Sequence, residues 1–267
     1  MDPVILAAEE CNPAEVVVCA PENVNELFVF PGIWGPINRT VVLIALAAVI
    51  VVVLLFVAFR KPRLVPTKFQ AAIESLVTLV REDIAVGIIG PEGVKYAPYL
   101  LSLFLFILVG NLFEVTPFIS FPITSRMAIP GFLALVTYVI YMFVGFAKNG
   151  FSFLGDVIWP RSIPVAIRPL VGLIEFAQYI ILRPLTLAVR LFANLVAGHI
   201  MLSLLLVTGV VFIGAIGDIG ARAILGIPWF VLGIGIYAFE IFVCVLQAYI
   251  FTLLSAVYIQ QSVHPEH

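Results

Sequence analysis

Residues 40–59, TVVLIALAAVIVVVLLFVAF, form a run of twenty positions without a charge. A helix over this run rises 1.5 Å per residue and is about 30 Å long, the thickness of a bilayer's hydrocarbon core. In lipid a helix satisfies its backbone groups internally, so the run reads as a membrane span. Composition agrees: 63% of the 267 residues are hydrophobic and 11% charged, against about 25% charged in soluble domains. With mean hydropathy +1.17, the chain carries more apolar surface than one soluble core of this length can hide. Basic patches interleaved with aromatics are absent, so nucleic acid is excluded as a partner. The net charge of −2 decides nothing.

Charge asymmetry orients the span. Arg60, Lys61, Arg63 and Lys68 follow it, while Asp2, Glu9, Glu10, Glu15, Glu22 and Glu26 precede it with only Arg39 positive. Basic flanks mark the cytoplasmic side, which puts the N-terminus outside. Residues 1–39 read as an extracytoplasmic segment, and residues 1–30 lack the basic start and long apolar stretch expected of a signal peptide. Residues 40–267 read as a single membrane domain. Residues 67–85 follow as an amphipathic helix at the cytoplasmic surface, with Phe69, Ile73, Leu76 and Val80 at spacings of three and four. A plain linker helix is an equal reading.

A second span is expected from about Tyr96 to Val115, with Asn111 and Glu114 near its outer end. TPFISFPITSR then turns outside, a third span covers about 129–147, and 148–169 is a cytoplasmic linker. The last third holds two longer apolar runs, 170–214 and 224–259. A 36-residue helix is about 54 Å long and must tilt or break in a core of about 30 Å. Two long, steeply tilted helices joined outside around GDIGAR (217–222) are the preferred reading, and a re-entrant pair bent at Arg183-Pro184 is the alternative. The fold class is thus all-α and integral to the membrane, with about five crossings and one surface helix. The C-terminus is then cytoplasmic.

The two long runs carry most of the deep polar residues: Glu175, Gln178, Arg183, Arg190, Asn194, His199, Glu240 and Gln247. An ionisable residue at the bilayer centre costs about 2.5–3.5 kcal/mol on insertion scales, so each needs a partner or a cavity. For Arg183 the bland reading is snorkelling to the cytoplasmic interface. For Arg190 that reading is weaker, since it stands 22 residues from Arg168 and 28 from Asp218. At 100° per residue Arg190, Asn194, Ala197 and Met201 share one helix face, with Ala193 beside them, and small residues let another helix approach. His199 falls on the opposite face. On the last helix Glu240, Cys244 and Gln247 share a face. His199 and Glu240 could carry protons, imidazole titrating near neutral pH; a histidine bonded to a backbone carbonyl is the competing account.

RPLTLAVRLFANLVAGH (183–199) followed by FEIFVCVLQAYIFTLLSAVYI (239–259) resembles subunit a of the rotary F-type ATP synthase, and NLFEVTP (111–117) and IEF (174–176) extend the likeness. The acidic N-terminus with two cysteines and RKPRLVP resemble its actinobacterial branch. The resemblance implies a stator subunit with two proton half-channels beside a ring of c subunits. Other implied partners are peripheral-stalk b subunits, the remainder of the synthase and the lipid bilayer. It implies that Arg190 faces the c-ring carboxylate and that Asn194 and Gln247 line its surroundings. His199 and Glu240 match the outer half-channel, and Glu175 resembles the acid of the inner one. In some members the acid and histidine are exchanged between the two positions. Eight residues separate Glu175 from Arg183 where the family pattern has seven. A multi-pass protein of the bacterial plasma membrane is implied, the mitochondrial inner membrane being the alternative.

No cofactor or metal is expected. The chain makes no nucleotide bond itself, since no G-x-x-x-x-G-K-[ST] loop is present; it reads as a non-catalytic, proton-translocating subunit. A secondary transporter with an Arg/His/Glu site is the rival class, but such folds show internal repeats and this sequence shows none. A haem or metal enzyme fits less well, with one histidine at depth. Cys11 and Cys19 both lie in the segment placed outside, where disulfides persist, and Cys244 is expected to stay reduced. Peptide mapping without reductant, after trapping thiols in intact cells, is expected to recover Cys11 and Cys19 linked. Two trapped free thiols there would refute the pairing.

Overall fold

The computed structural model describes residues 11–13, 16, 18–19, 39–60, 67–116, 122–150, 155 and 167–263. The basic RKPR segment beyond Arg60, residues 117–121 of the expected outside turn, most of the 148–169 linker and most of the N-terminal segment lie outside the described residues. Among the described residues the chain is all helical. The order is α1 (Arg39–Phe59), α2 (Lys68–Thr78), a π-helical stretch (Leu79–Ile89), a 3-10 turn (Pro91–Lys95), α3 (Ala97–Leu112), a 3-10 turn (Ile123–Ser125) and α4 (Ala128–Asn149). Then come α5 (Arg168–Ala177), a π-helical stretch (Gln178–Leu182), α6 (Arg183–Gly214), α7 (Ile216–Ile219), a 3-10 turn (Gly220–Leu225) and α8 (Gly226–Val263). Four helical runs are long and apolar enough to cross a membrane: Arg39–Phe59, Ala128–Asn149, Arg168–Gly214 and Ile216–Val263. The shorter apolar α3 stands beside them.

Local chemistry explains where the elements begin and change. Thr67 caps α2, its Oγ1 accepting the Gln70 N–H at 3.3 Å, one of the donors a helix start leaves unpaired. The helical path continues past the expected end at residue 85 to Ile89. Val80, Ile84, Ala85 and Ile89 are buried in a core, while Arg81, Glu82 and Asp83 are exposed. One face of the segment is thus buried and the other exposed, as the amphipathic pattern implies. α3 is 16 residues long, about 24 Å, and stops at Leu112 rather than near Val115. Pro184 neither ends nor inverts the chain. The wider π-helical turn at Gln178–Leu182 lies just before it, and α6 runs on for 32 residues. A prolyl ring needs space against the preceding turn and offers no N–H, and a local π turn relieves both demands. α8 likewise passes Gly233 and Gly235 unbroken for 38 residues. At about 57 Å it is much longer than a bilayer core and must tilt or project from it.

The chain divides into two compact units. The first comprises Met1–Leu46, Gly110–Arg126 and Ala193–Leu246; the second comprises Ala47–Val109, Met127–Phe192 and Gln247–His267. In the second, Leu100, Leu103, Phe104 and Ile107 of α3 pack in one core with Ala134 and Tyr141 of α4, Leu187 and Leu191 of α6, and Ala248, Ala256 and Ile259 of α8. Polar ties are placed inside that core: Tyr99 and Thr137 share a hydrogen bond of 2.7 Å, and the Tyr141 hydroxyl donates to the Tyr179 carbonyl at 2.7 Å. Asn149 Nδ2 donates to the Ser262 carbonyl at 3.0 Å. Lys148 pairs with Glu92.

In the first unit the C-terminal part of α6 lies directly against the start of α8. A Cβ on Gly209 would stand 2.7 Å from the Phe230 backbone nitrogen. Cys11 and Cys19 are bonded through their sulfurs. The Cys19 N–H donates to Thr208 Oγ1 at 3.0 Å, and Cys19 packs with Val207 and Phe212. The bridged loop is thereby fixed to the side of α6. Gly209→Val forces backbone against backbone, and overpacking of this kind costs about 1–3 kcal/mol. A lower thermal midpoint of the purified assembly, or less of the chain retained in membranes, is the expected result. Wild-type values for both would show that the two helices have room to separate.

Candidate functional site

The site grows from a short turn. After α3 the chain folds back on itself, the Glu114 N–H donating to the Asn111 carbonyl at 3.0 Å and Thr116 Oγ1 donating to the Leu112 carbonyl at 3.0 Å. Three side chains of the first unit pin this turn. Thr124 Oγ1 donates to Asn111 Oδ1 at 2.7 Å, Cys244 Sγ donates to the Asn111 carbonyl at 3.4 Å, and the Tyr237 hydroxyl donates to the Val115 carbonyl. Two of these come from α8. The turn therefore holds Glu114 against that helix.

Around Glu114 the unit gathers its titratable groups. His199 Nδ1 lies 3.8 Å from Glu114 Oε1, within ion-pair range but longer than a hydrogen bond. Glu240 of α8 reaches to the backbone of α6 at Gly198, where any Cβ would collide with its carboxylate. Gly198 thus makes the room in which Glu240 sits. Glu114, His199 and Glu240 are 5%, 5% and 4% exposed. Two acids and an imidazole inside a membrane unit can exchange protons with one another; as isolated charges they would be costly.

The other expected residues stand elsewhere. Arg190 and Asn194 are exposed on α6, in a stripe with Leu185, Thr186, Val189, Ala193, Ala197 and Met201. His199 is on the buried side, as the helical spacing implies. Gln247 is buried on α8, in line with Glu240 and Cys244. Glu175 is half-buried on α5 in the second unit. Arg183 does not reach for water alone: its guanidinium stacks 3.7 Å from the centre of the Tyr179 ring and 5.3 Å from that of Tyr258.

The family model described as ATP synthase A chain matches residues 41–260, which contain every one of these groups. The chain belongs to the ATP synthase A chain family. It is 40% identical over 241 residues to ATP synthase subunit a of Frankia alni, covering 86% of this chain and 79% of that one. With the Streptomyces lividans subunit a it is 36% identical over 248 residues, 90% and 86% of the two chains. With that of Cereibacter sphaeroides it is 35% identical over 234 residues, 88% and 84%. Membership fits the all-helical, multi-pass architecture and accounts for a chain whose deep polar groups are concentrated on two long helices.

One member of the buried group was not among the candidates from sequence. Glu114 was visible in NLFEVTP but read as a residue near the outer end of a straight span. The signal that could have found it is Pro117 three positions on, together with the acid itself. Glu114 lies two residues past the end of α3, in the turn rather than on the helix.

Proposed function

We propose that this chain is the stator subunit of a bacterial ATP synthase membrane sector. It carries protons through two half-channels beside a ring of c subunits and so couples proton flow to rotation and ATP synthesis. The observation that supports this best is the placement of Arg190. A guanidinium stays protonated, yet this one sits exposed on a stripe of apolar and small residues. A charge so placed in a membrane calls for an anionic partner supplied by another chain, and Ala193 and Ala197 leave room for a helix bearing one. The c-ring carboxylate has that chemistry. Peripheral-stalk b subunits complete the stator.

The buried cluster takes the outer side of the path. A proton from outside passes among His199, Glu114 and Glu240 and neutralises a ring carboxylate, which can then face lipid without a charge. After the ring has turned, that carboxylate comes to Arg190. The cation favours its ionised form, so the proton leaves toward the inner side, where Glu175 is the acid on offer. Asn194 and Gln247 supply uncharged hydrogen-bonding groups along the way. Each charge crossing the membrane releases about 2.3 kcal/mol per 100 mV. The orientation that fits has residues 1–39 outside and the C-terminus in the cytoplasm, following the basic flank of α1.

Two measurements test the reading. Arg190→Ala is expected to abolish ATP-driven proton pumping in inverted vesicles. Arg190→Lys is expected to fail largely as well, because a compact ammonium can lose its proton when desolvated; normal coupled pumping in Arg190→Ala would refute the role. For the outer path, neutral substitutions of His199 and Glu240 should each slow proton passage, and the double variant should lose less than the two single losses combined. Strict additivity of the logarithms of the rates would show that the two act separately.

A further inference from the structure

Glu114 and Glu240 meet a third donor. One oxygen of each acid and Sγ of Cys244 lie within 4.8 Å of one another, all three residues being buried. An acidic cluster by itself signifies little, and a buried cysteine usually acts as a small apolar group. Here, however, His199 stands at ion-pair range of Glu114, and hydrogen bonds do not complete the site. Among the described residues, both oxygens of Glu114 and Oε2 of Glu240 are buried without a hydrogen-bond partner, whereas buried polar atoms in proteins are nearly always paired. Protonating both carboxyls would remove their charge but would leave O–H donors and carbonyl acceptors still to be satisfied. A dipositive ion between them answers both needs at once.

The donor set selects the ion. Mg²⁺ and Ca²⁺ prefer all-oxygen surroundings, and a sulfur ligand favours softer ions such as Zn²⁺. Three protein ligands with the fourth position open is the arrangement of accessible zinc sites. With metal–ligand distances of about 2.0–2.3 Å, tetrahedral ligands stand about 3.3–3.8 Å apart. The three candidate atoms, all within 4.8 Å of one another, are compatible with that spacing. We propose that Glu114, Glu240 and Cys244 form a binding site for a divalent cation of the zinc class, and that an ion bound there blocks proton passage. Starting from neutral groups, the ion forms bonds to one oxygen of each acid and to Sγ. The thiol proton and one carboxyl proton leave to water. The second carboxyl proton leaves likewise, so three protons are released to water as the dication binds. The binding site stands on the cluster alone, whereas the block rests on the proton-path reading above.

The test uses the intact ATP synthase in two assays. In the purified complex, Co²⁺ serves as the spectroscopic probe, since a thiolate ligand gives a near-ultraviolet sulfur-to-cobalt charge-transfer band. The band is expected in the wild type, to be removed by excess Zn²⁺ and to be missing in Cys244→Ser. In inverted vesicles with Zn²⁺ sealed in the lumen, ATP-driven pumping is measured relative to each variant's own zinc-free rate. The zinc concentration that halves pumping is expected to rise at least about tenfold in Cys244→Ser, since even outer-shell changes around a metal cost 10–100-fold in affinity. Cys244→Ala is the substitute should the serine variant fail to assemble. No zinc-sensitive band in the wild type, or an identical band in the cysteine variants, would overturn the site. A band that depends on Cys244 with pumping untouched by zinc would uphold the site and overturn the block, and with it the placing of Glu240 on the proton path.

Discussion

A bilayer core offers no water to hydrogen-bond, so each polar group carried into it must find its partner within protein. The turn after α3 is where that constraint shapes this chain most. Its Asn111 accepts three hydrogen bonds, one on the side chain from Thr124 and two on the backbone, from the Glu114 N–H and from Cys244. Tyr237 closes it from the following turn-side carbonyl at Val115. With the backbone so answered, the turn can end a helix early and present Glu114 to α6 and α8. Remove the turn's partners and the acid has no fixed address.

The same economy of space governs the contact between α6 and α8. Lipid tails are as apolar as leucine, so helices associate in membranes by close packing rather than by escape from water. Gly209 brings backbone to backbone, and Gly198 makes a hollow for a carboxylate. The two glycines serve opposite ends: one removes space between helices, the other keeps it for a polar group. Deep charge and tight packing are usually in conflict. Here they are separated by eleven residues along one helix.

Much of this is legible in the sequence. The uncharged run at 40–59, the two long helices and the opposite faces of Arg190 and His199 follow directly from hydrophobic length and a 3.6-residue repeat. The rest was hidden for physical reasons. Periodicity shows which side of a helix is apolar but not where the helix stops, so α3 was drawn too long and Glu114 was read as a residue of its outer end. The burial of Val80, Ile84 and Ala85 depends on neighbours distant in sequence, which an amphipathic pattern cannot supply. Pro184 looked capable of reversing the chain because sequence does not reveal a π turn, the device that lets the helix continue.

Among the described residues, Arg183 is held by the ring faces of Tyr179 and Tyr258. Aromatic faces attract a cation through their quadrupoles, and a quadrupole has no proton to gain or lose. An arginine paired with a carboxylate becomes a variable of the system: each time the acid protonates, the pair loosens and the local field changes. Cradled by tyrosine faces, the Arg183 guanidinium has neighbours whose attraction does not depend on the protonation of an acid.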